Sequence, residues 1–118
     1  MTDLIACISE NEKSILHVQK LVDMKEWNQI FLVGSESSKK VFKCSKEINF
    51  AGIDVSSSAS EIISSIQKQL NGKITDLEVA LNLICGTGKE HMALLSALLR
   101  MGVGIRLMAV TKEGVKEL

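Results

Sequence analysis

Aromatic side chains are nearly missing from this chain. They make up 3% of it, and tyrosine does not occur. The hydrophobic share is nevertheless 46%, so the core has to be assembled from Ile, Leu, Val, Met and Ala. An excess of charge is missing too, since Lys plus Arg and Asp plus Glu both number 14. A duplex nucleic-acid binder carries a basic footprint, so duplex nucleic acid is not an expected partner. A small anionic ligand at one local site stays open. No apolar run approaches the roughly 18 residues of a membrane span. The opening MTDLIACISENEKS lacks the basic and long apolar regions of a signal peptide. Cys7, Cys44 and Cys85 are an odd set at wide spacing without a C-x-x-C pair. That pattern points to reduced thiols in a cytoplasmic protein rather than to disulfides or zinc. Cys7 and Cys85 fall in apolar runs and read as small core residues. His17 falls mid-helix and is expected to be exposed. No metal and no cofactor are expected.

What the chain does have is alternation. At 118 residues it is the size of one domain, spanning 1–118. Asp3–Ser9 reads as a first strand and Glu12–Trp27 as a helix with Ile15, Val18 and Val22 near helical spacing. Gln29–Val33 is a second strand, Ser37–Lys46 a second helix, and Phe50–Val55 a third strand interrupted by Gly52. Ser58-Ala59-Ser60-Glu61 fits a capping box that opens a third helix, whose apolar face is Ile62, Ile63, Ile66 and Leu70. Asn71-Gly72 supplies a left-handed stop. Leu77–Cys85 reads as strand four. Lys89–Met101 reads as helix four, with Met92, Leu95 and Leu99 on a core stripe widened by Leu94 and Leu98. Gly104–Val110 is strand five.

Strands alternating with helices predict an α/β domain: a three-layer, Rossmann-like arrangement with a five-stranded, mostly parallel sheet. Right-handed crossovers favour the strand order 3-2-1-4-5, with 2-1-3-4-5 as the alternative. Eight residues follow strand five, too few for a further helix. One face at that edge is therefore expected to be bare, and with so much Ile, Leu, Val and Met this predicts a homodimer.

The most informative stretch is Leu77–Met101, where an apolar run ends at Gly86-Thr87-Gly88-Lys89 and a helical pattern begins at once. Backbone N–H groups at such a junction favour an anion, helped by the helix dipole. It is not a P-loop, because Leu83 stands where a glycine is needed and Glu90 where a Ser or Thr is needed. The dinucleotide fingerprint is also absent, since Ser9-Glu10-Asn11-Glu12-Lys13 after strand one holds no glycine. Asp54, Thr87 and Lys112 fall at the strand ends used by phosphoacceptor domains, but the acidic pair for Mg²⁺ is replaced by Ser9 and Glu10. In the order 3-2-1-4-5 the chain reverses between strands one and four. Ligands of open α/β sheets sit at that reversal, outside the carboxyl ends of the strands. The candidate ligand-binding set is therefore Ser9, Glu10, Asn11, Gly86, Thr87, Gly88, Lys89 and His91. His91 is placed to donate to a ligand or to act as an acid or base. A nucleotide or phosphate group is the expected ligand. The alternative is a structural or interaction homodimer with a vestigial site.

Asn82-Leu83-Ile84-Cys85-Gly86-Thr87 through Met92 resembles the strand-four motif of the CRISPR-associated Rossmann fold (CARF) family. There an apolar strand runs into a Gly-Thr turn, followed by a basic residue and a Met on the next helix. Gly86, Thr87 and Met92 match in type and order, Gly88 intervenes before Lys89, and Ser9 falls where the family often has a small hydroxyl residue. The resemblance implies a prokaryotic homodimer whose paired pockets bind cyclic oligoadenylate or a similar nucleotide. Some members cleave that ring without metal.

Overall fold

A computed structural model describes residues 2–118. Ten elements run along the chain: β1 Asp3–Cys7, α1 Glu12–Met24, β2 Ile30–Gly34, α2 Glu36–Val41, β3 Asn49–Gly52, α3 Ala59–Leu70, β4 Glu78–Asn82, α4 Gly88–Arg100, β5 Gly104–Thr111 and β6 Gly114–Glu117. They form one α/β sheet of six strands in the order β3-β2-β1-β4-β5-β6. The first five pair in parallel, and β6 turns back antiparallel on β5. The expected order 3-2-1-4-5 is thus present, with a sixth strand added at the β5 edge.

The central strands are mostly apolar because both of their faces are covered. Every residue of β1 and β2 is buried. The one charged residue among them, Asp3, accepts from Asn28 Nδ2 at 2.7 Å and Gln29 Nε2 at 3.3 Å. Helix α1 buries Ile15, Val18, Leu21 and Val22, while Leu16 and Met24 face outwards. Its C-terminal carbonyls have no cation from their own last turn. Lys46 supplies one from the α2–β3 connection, with Nζ 2.8 Å from the Val22 oxygen and 2.9 Å from that of Lys25. At Ser58 only half of the expected capping box forms. The hydroxyl accepts from the Glu61 amide at 3.2 Å, but the Glu61 carboxylate accepts from that hydroxyl at 3.0 Å and not from the Ser58 amide. Gly72 takes a φ of 75° after α3.

Three expectations need correction. Helix α4 leaves Met92 and Leu99 outside the core and Leu95 half-buried against it. Its core face is Ala93, Leu94, Ala97 and Leu98 with Glu90, leaving Met92 73% and Leu99 62% exposed. Helix α4 packs against α3, and Ala93 and Ala97 are on its buried face. Helix α2 is also shorter than expected, ending at Val41. His17 is not exposed: it is half-buried against the sheet, with Nε2 3.1 Å from Asn82 Nδ2 and 3.4 Å from the Val110 nitrogen. Burial, and secondarily the charge of Lys20, lowers its pKa below the ordinary histidine value.

Alternation along β5 divides its two faces. Met108 lies on the α1 side and is buried, in a small cavity shared with Trp27 and Lys25. Leu107 lies on the α4 side and is 44% exposed. The face of β5 that carries Leu107 is therefore partly open. No helix among the described residues is long and apolar enough to cross a membrane.

Candidate functional site

Parallel strands bring their carboxyl ends, and the loops that follow, to one end of the sheet. β1 and β4 are hydrogen-bonded neighbours, with Asp3 to Ala6 in register with Val79 to Asn82. Chain connections leave this pair in opposite directions, towards β2 on one side and β5 on the other. The loops after β1 and β4 diverge there, and an open cavity of about 410 Å³ lies between them. Its walls are Ile8, Ser9, Glu10, Asn11 and Ser14 from the β1–α1 segment, Ser35 after β2, Val55 after β3, and Ile84, Gly86, Thr87 and Glu90 from the β4–α4 segment.

Of the residues singled out in the sequence, Ser9, Glu10, Asn11, Gly86 and Thr87 meet in this cavity. Gly88, Lys89 and His91 lie outside its lining. Lys89 is turned to the β3–α3 loop, where Nζ donates to the Ser57 carbonyl at 2.7 Å. His91 Nε2 lies 2.6 Å from the Cys85 oxygen, so the ring donates its proton there and steadies the glycine turn. Gly86 needs its lack of side chain, having a φ of 95° with Glu90 and His91 packed against the position of a Cβ. Gly88 does not, for its φ is not in the positive region and a Cβ there would meet nothing within 4 Å.

The helix ends facing the cavity are capped from within. Asn11 accepts from the Ser14 amide at 3.0 Å, and Ser35 from the Ser38 amide at 3.2 Å. Thr87 and Glu90 form a full capping box. The Glu90 carboxylate takes the Thr87 hydroxyl at 2.5 Å and the Thr87 amide at 3.2 Å. An anion is therefore not free to take all three turn amides, as the glycine pattern alone suggests. The amides of Gly88 and Lys89, both exposed, carry no hydrogen bond among the described residues. Beneath the cavity floor, burial pushes the Cys7 thiol up to about 12, with Glu90 and Cys85 adding smaller increments. Burial also raises Cys85, partly offset by hydrogen bonding with Ser9. Both thiols are held protonated and unreactive at neutral pH.

Ile8, Ser14, Ser35, Val55, Ile84 and Glu90 were missed from the sequence as cavity residues. Two signals for them were available. Ser35 directly follows β2, the neighbour of β1, and Thr87-x-x-Glu90 repeats the capping pattern of Ser58-x-x-Glu61. No group of three or more His, Cys, Asp or Glu side chains among the described residues could hold a metal ion. No protein-family model and no curated protein matches the chain.

Proposed function

We propose that the chain is a small nucleotide-binding module whose ligand sits between the loops after β1 and β4. One observation carries this reading. A cavity of about 410 Å³ lies at the reversal point of the sheet, with four hydroxyl groups, an amide and apolar walls converging on it. Gly88 adds support, because nothing in the fold requires glycine there and a bare backbone admits a ligand phosphate. The Gly-Thr turn and its likeness to the CARF motif put cyclic oligoadenylate among the ligands to be tried.

A homodimer belongs to the same proposal. Met92, Leu95 and Leu99 run along the outer face of α4, and the open face of β5 presents Leu107 beside Leu118. Lone apolar side chains on a surface are ordinary, but a contiguous set is not. Met92 lies one turn into the helix that begins at the cavity, so this surface continues from the site. A second copy meeting it would bring two cavities to one interface.

Calorimetric titration with AMP, GMP and cyclic tetra-adenylate tests the reading. The wild type is expected to bind at least one of them, and Ile84→Trp, which fills the cavity from an exposed wall position, is expected not to. Absence of binding by all three, or equal binding by the variant, would remove the proposal.

A further inference from the structure

The charges around the cavity make a narrower reading possible. Its lining contains two carboxylates, Glu10 and Glu90, and no lysine, arginine or histidine. The nearest lysine of the turn, Lys89, is engaged at Ser57 outside it. Helices α1, α2 and α4 end at this cavity, and each already carries a glutamate in its first turn, namely Glu12, Glu36 and Glu90. The positive ends of these helices are therefore offset by their own side chains. A phosphate pushed into the cavity would face carboxylates without a cation to balance them.

The two lining carboxylates differ. Glu90 is buried and committed to Thr87. Glu10 is exposed and has no hydrogen-bond or ion-pair partner among the described residues. An ionised carboxylate only accepts hydrogen bonds, so its natural complement is an N–H donor. Around it stand Ser9 and Ser14 with rotatable hydroxyls, and Asn11, whose Oδ1 is used by the Ser14 amide while its NH₂ group remains available. Ile8, Val55 and Ile84 supply apolar walls for the faces of a ring. A carboxylate acceptor for the amino group, hydroxyl and amide groups that can donate to ring nitrogens, apolar walls for the ring faces and a volume of about 410 Å³ meet the requirements of an amino-bearing purine. The free amides of Gly88 and Lys89 are exposed and outside this lining, directly after Thr87, which is part of it.

We infer that the cavity takes the base of the nucleotide, that Glu10 reads the exocyclic amino group of a purine there, and that the phosphate stays outside at the Gly88–Lys89 turn. This rests on the nucleotide reading above. It makes Glu10 a specificity residue and fixes the orientation of the ligand, base inwards.

The test uses pairs of nucleotides that differ at the amino group. GMP is compared with IMP, and AMP with purine riboside 5′-monophosphate, by titration into the wild type and Glu10→Ala, with inorganic phosphate as a third probe. Glu10 is exposed, and equal thermal midpoints will show that the variant folds. The amino-bearing member of a pair is expected to bind roughly tenfold more tightly to the wild type, the scale of one well-formed base contact. Glu10→Ala is expected to erase that difference. A difference in one pair alone, erased by the substitution, supports the inference and names the base. Equal affinities within both pairs, a preference that survives in Glu10→Ala, or phosphate binding as tightly as the nucleotides would overturn it while leaving nucleotide binding intact. If no nucleotide binds, the inference falls together with the reading it rests on.

Discussion

Glu90 and Thr87 hold each other across the first turn of α4. The carboxylate accepts from the threonine hydroxyl at 2.5 Å and from its amide at 3.2 Å, while the Glu90 amide returns a bond to the hydroxyl at 3.4 Å. The pair fixes the direction in which the helix leaves the glycine turn. It also places a carboxylate at the cavity wall. Thr87→Ala removes the hydroxyl at both ends of this exchange. It is expected to lower folding stability by about 1 kcal/mol, the usual cost of a lost N-cap. Thr87→Ser is expected to retain most of it. Urea denaturation of the three proteins measures the difference.

Two glycines, Gly34 and Gly88, separate structural need from ligand access. At Gly34 a Cβ would lie 2.6 Å from Ser38 Oγ and 2.8 Å from the Ile8 carbonyl oxygen. The backbone of β1 cannot yield easily, so Gly34→Ala is expected to destabilise by about 1–3 kcal/mol, as overpacked cores do. Gly88 meets nothing within 4 Å. Gly88→Ala is expected to raise stability by up to about 1 kcal/mol, since it removes backbone freedom from the unfolded chain. The same substitution is expected to weaken nucleotide binding, because the new methyl group stands beside the free amides. Stability and affinity moving in opposite directions in one variant is the result to look for, by thermal unfolding and calorimetry together.

His17 predicts an acid limb in the stability curve. Its folded pKa is lowered, chiefly by burial and then by Lys20. Between the folded value and the unfolded value of 6.5 the unfolded chain binds more protons than the folded one, so stability rises with pH across that window. The contribution is therefore complete above 6.5 and is lost as pH falls through the lower folded value. Protonation also removes the acceptor that serves the Val110 amide. His17→Gln keeps an acceptor without titrating in this range, and is expected to flatten the slope below neutrality. Unfolding midpoints from pH 5 to 8 for both proteins test the sign.

The apolar surface on α4 gives a prediction about mass. Leu99 is 62% exposed, so Leu99→Glu costs the isolated chain little. If that face joins two copies, light scattering will give a dimer for the wild type and a monomer for Leu99→Glu, with both remaining folded. A wild-type monomer at all concentrations would exclude the dimer.

The parallel order was legible because it follows from alternation and crossover handedness, and because β1, β2 and β4 each hold a run of three or more apolar residues. Strand β6 was not. Gly114-Val115-Lys116-Glu117 is short and half charged, and it is held as a strand by pairing with β5 rather than by its own pattern. The face of α4 was misread because Met92, Leu95 and Leu99 outweigh Ala93 and Ala97 in hydrophobicity. Those alanines are nevertheless on its buried face. For the site, strand order sufficed to bring Ser9, Glu10 and Asn11 to Gly86 and Thr87. It did not reveal where long side chains turn. Lys89 and His91 each reach a carbonyl, at Ser57 and Cys85, that sequence spacing cannot point to.

The central claim is that the crevice between the β1 and β4 loops is a nucleotide site. Amide chemical-shift mapping tests it most directly, with AMP, GMP and cyclic tetra-adenylate titrated in turn into isotope-labelled protein. For at least one of them, the shifts are expected to gather at Ser9, Glu10, Asn11, Ser35, Gly86, Thr87 and Gly88, and to saturate together. Saturable shifts confined to another surface, or no shifts with any of the three, would contradict the account.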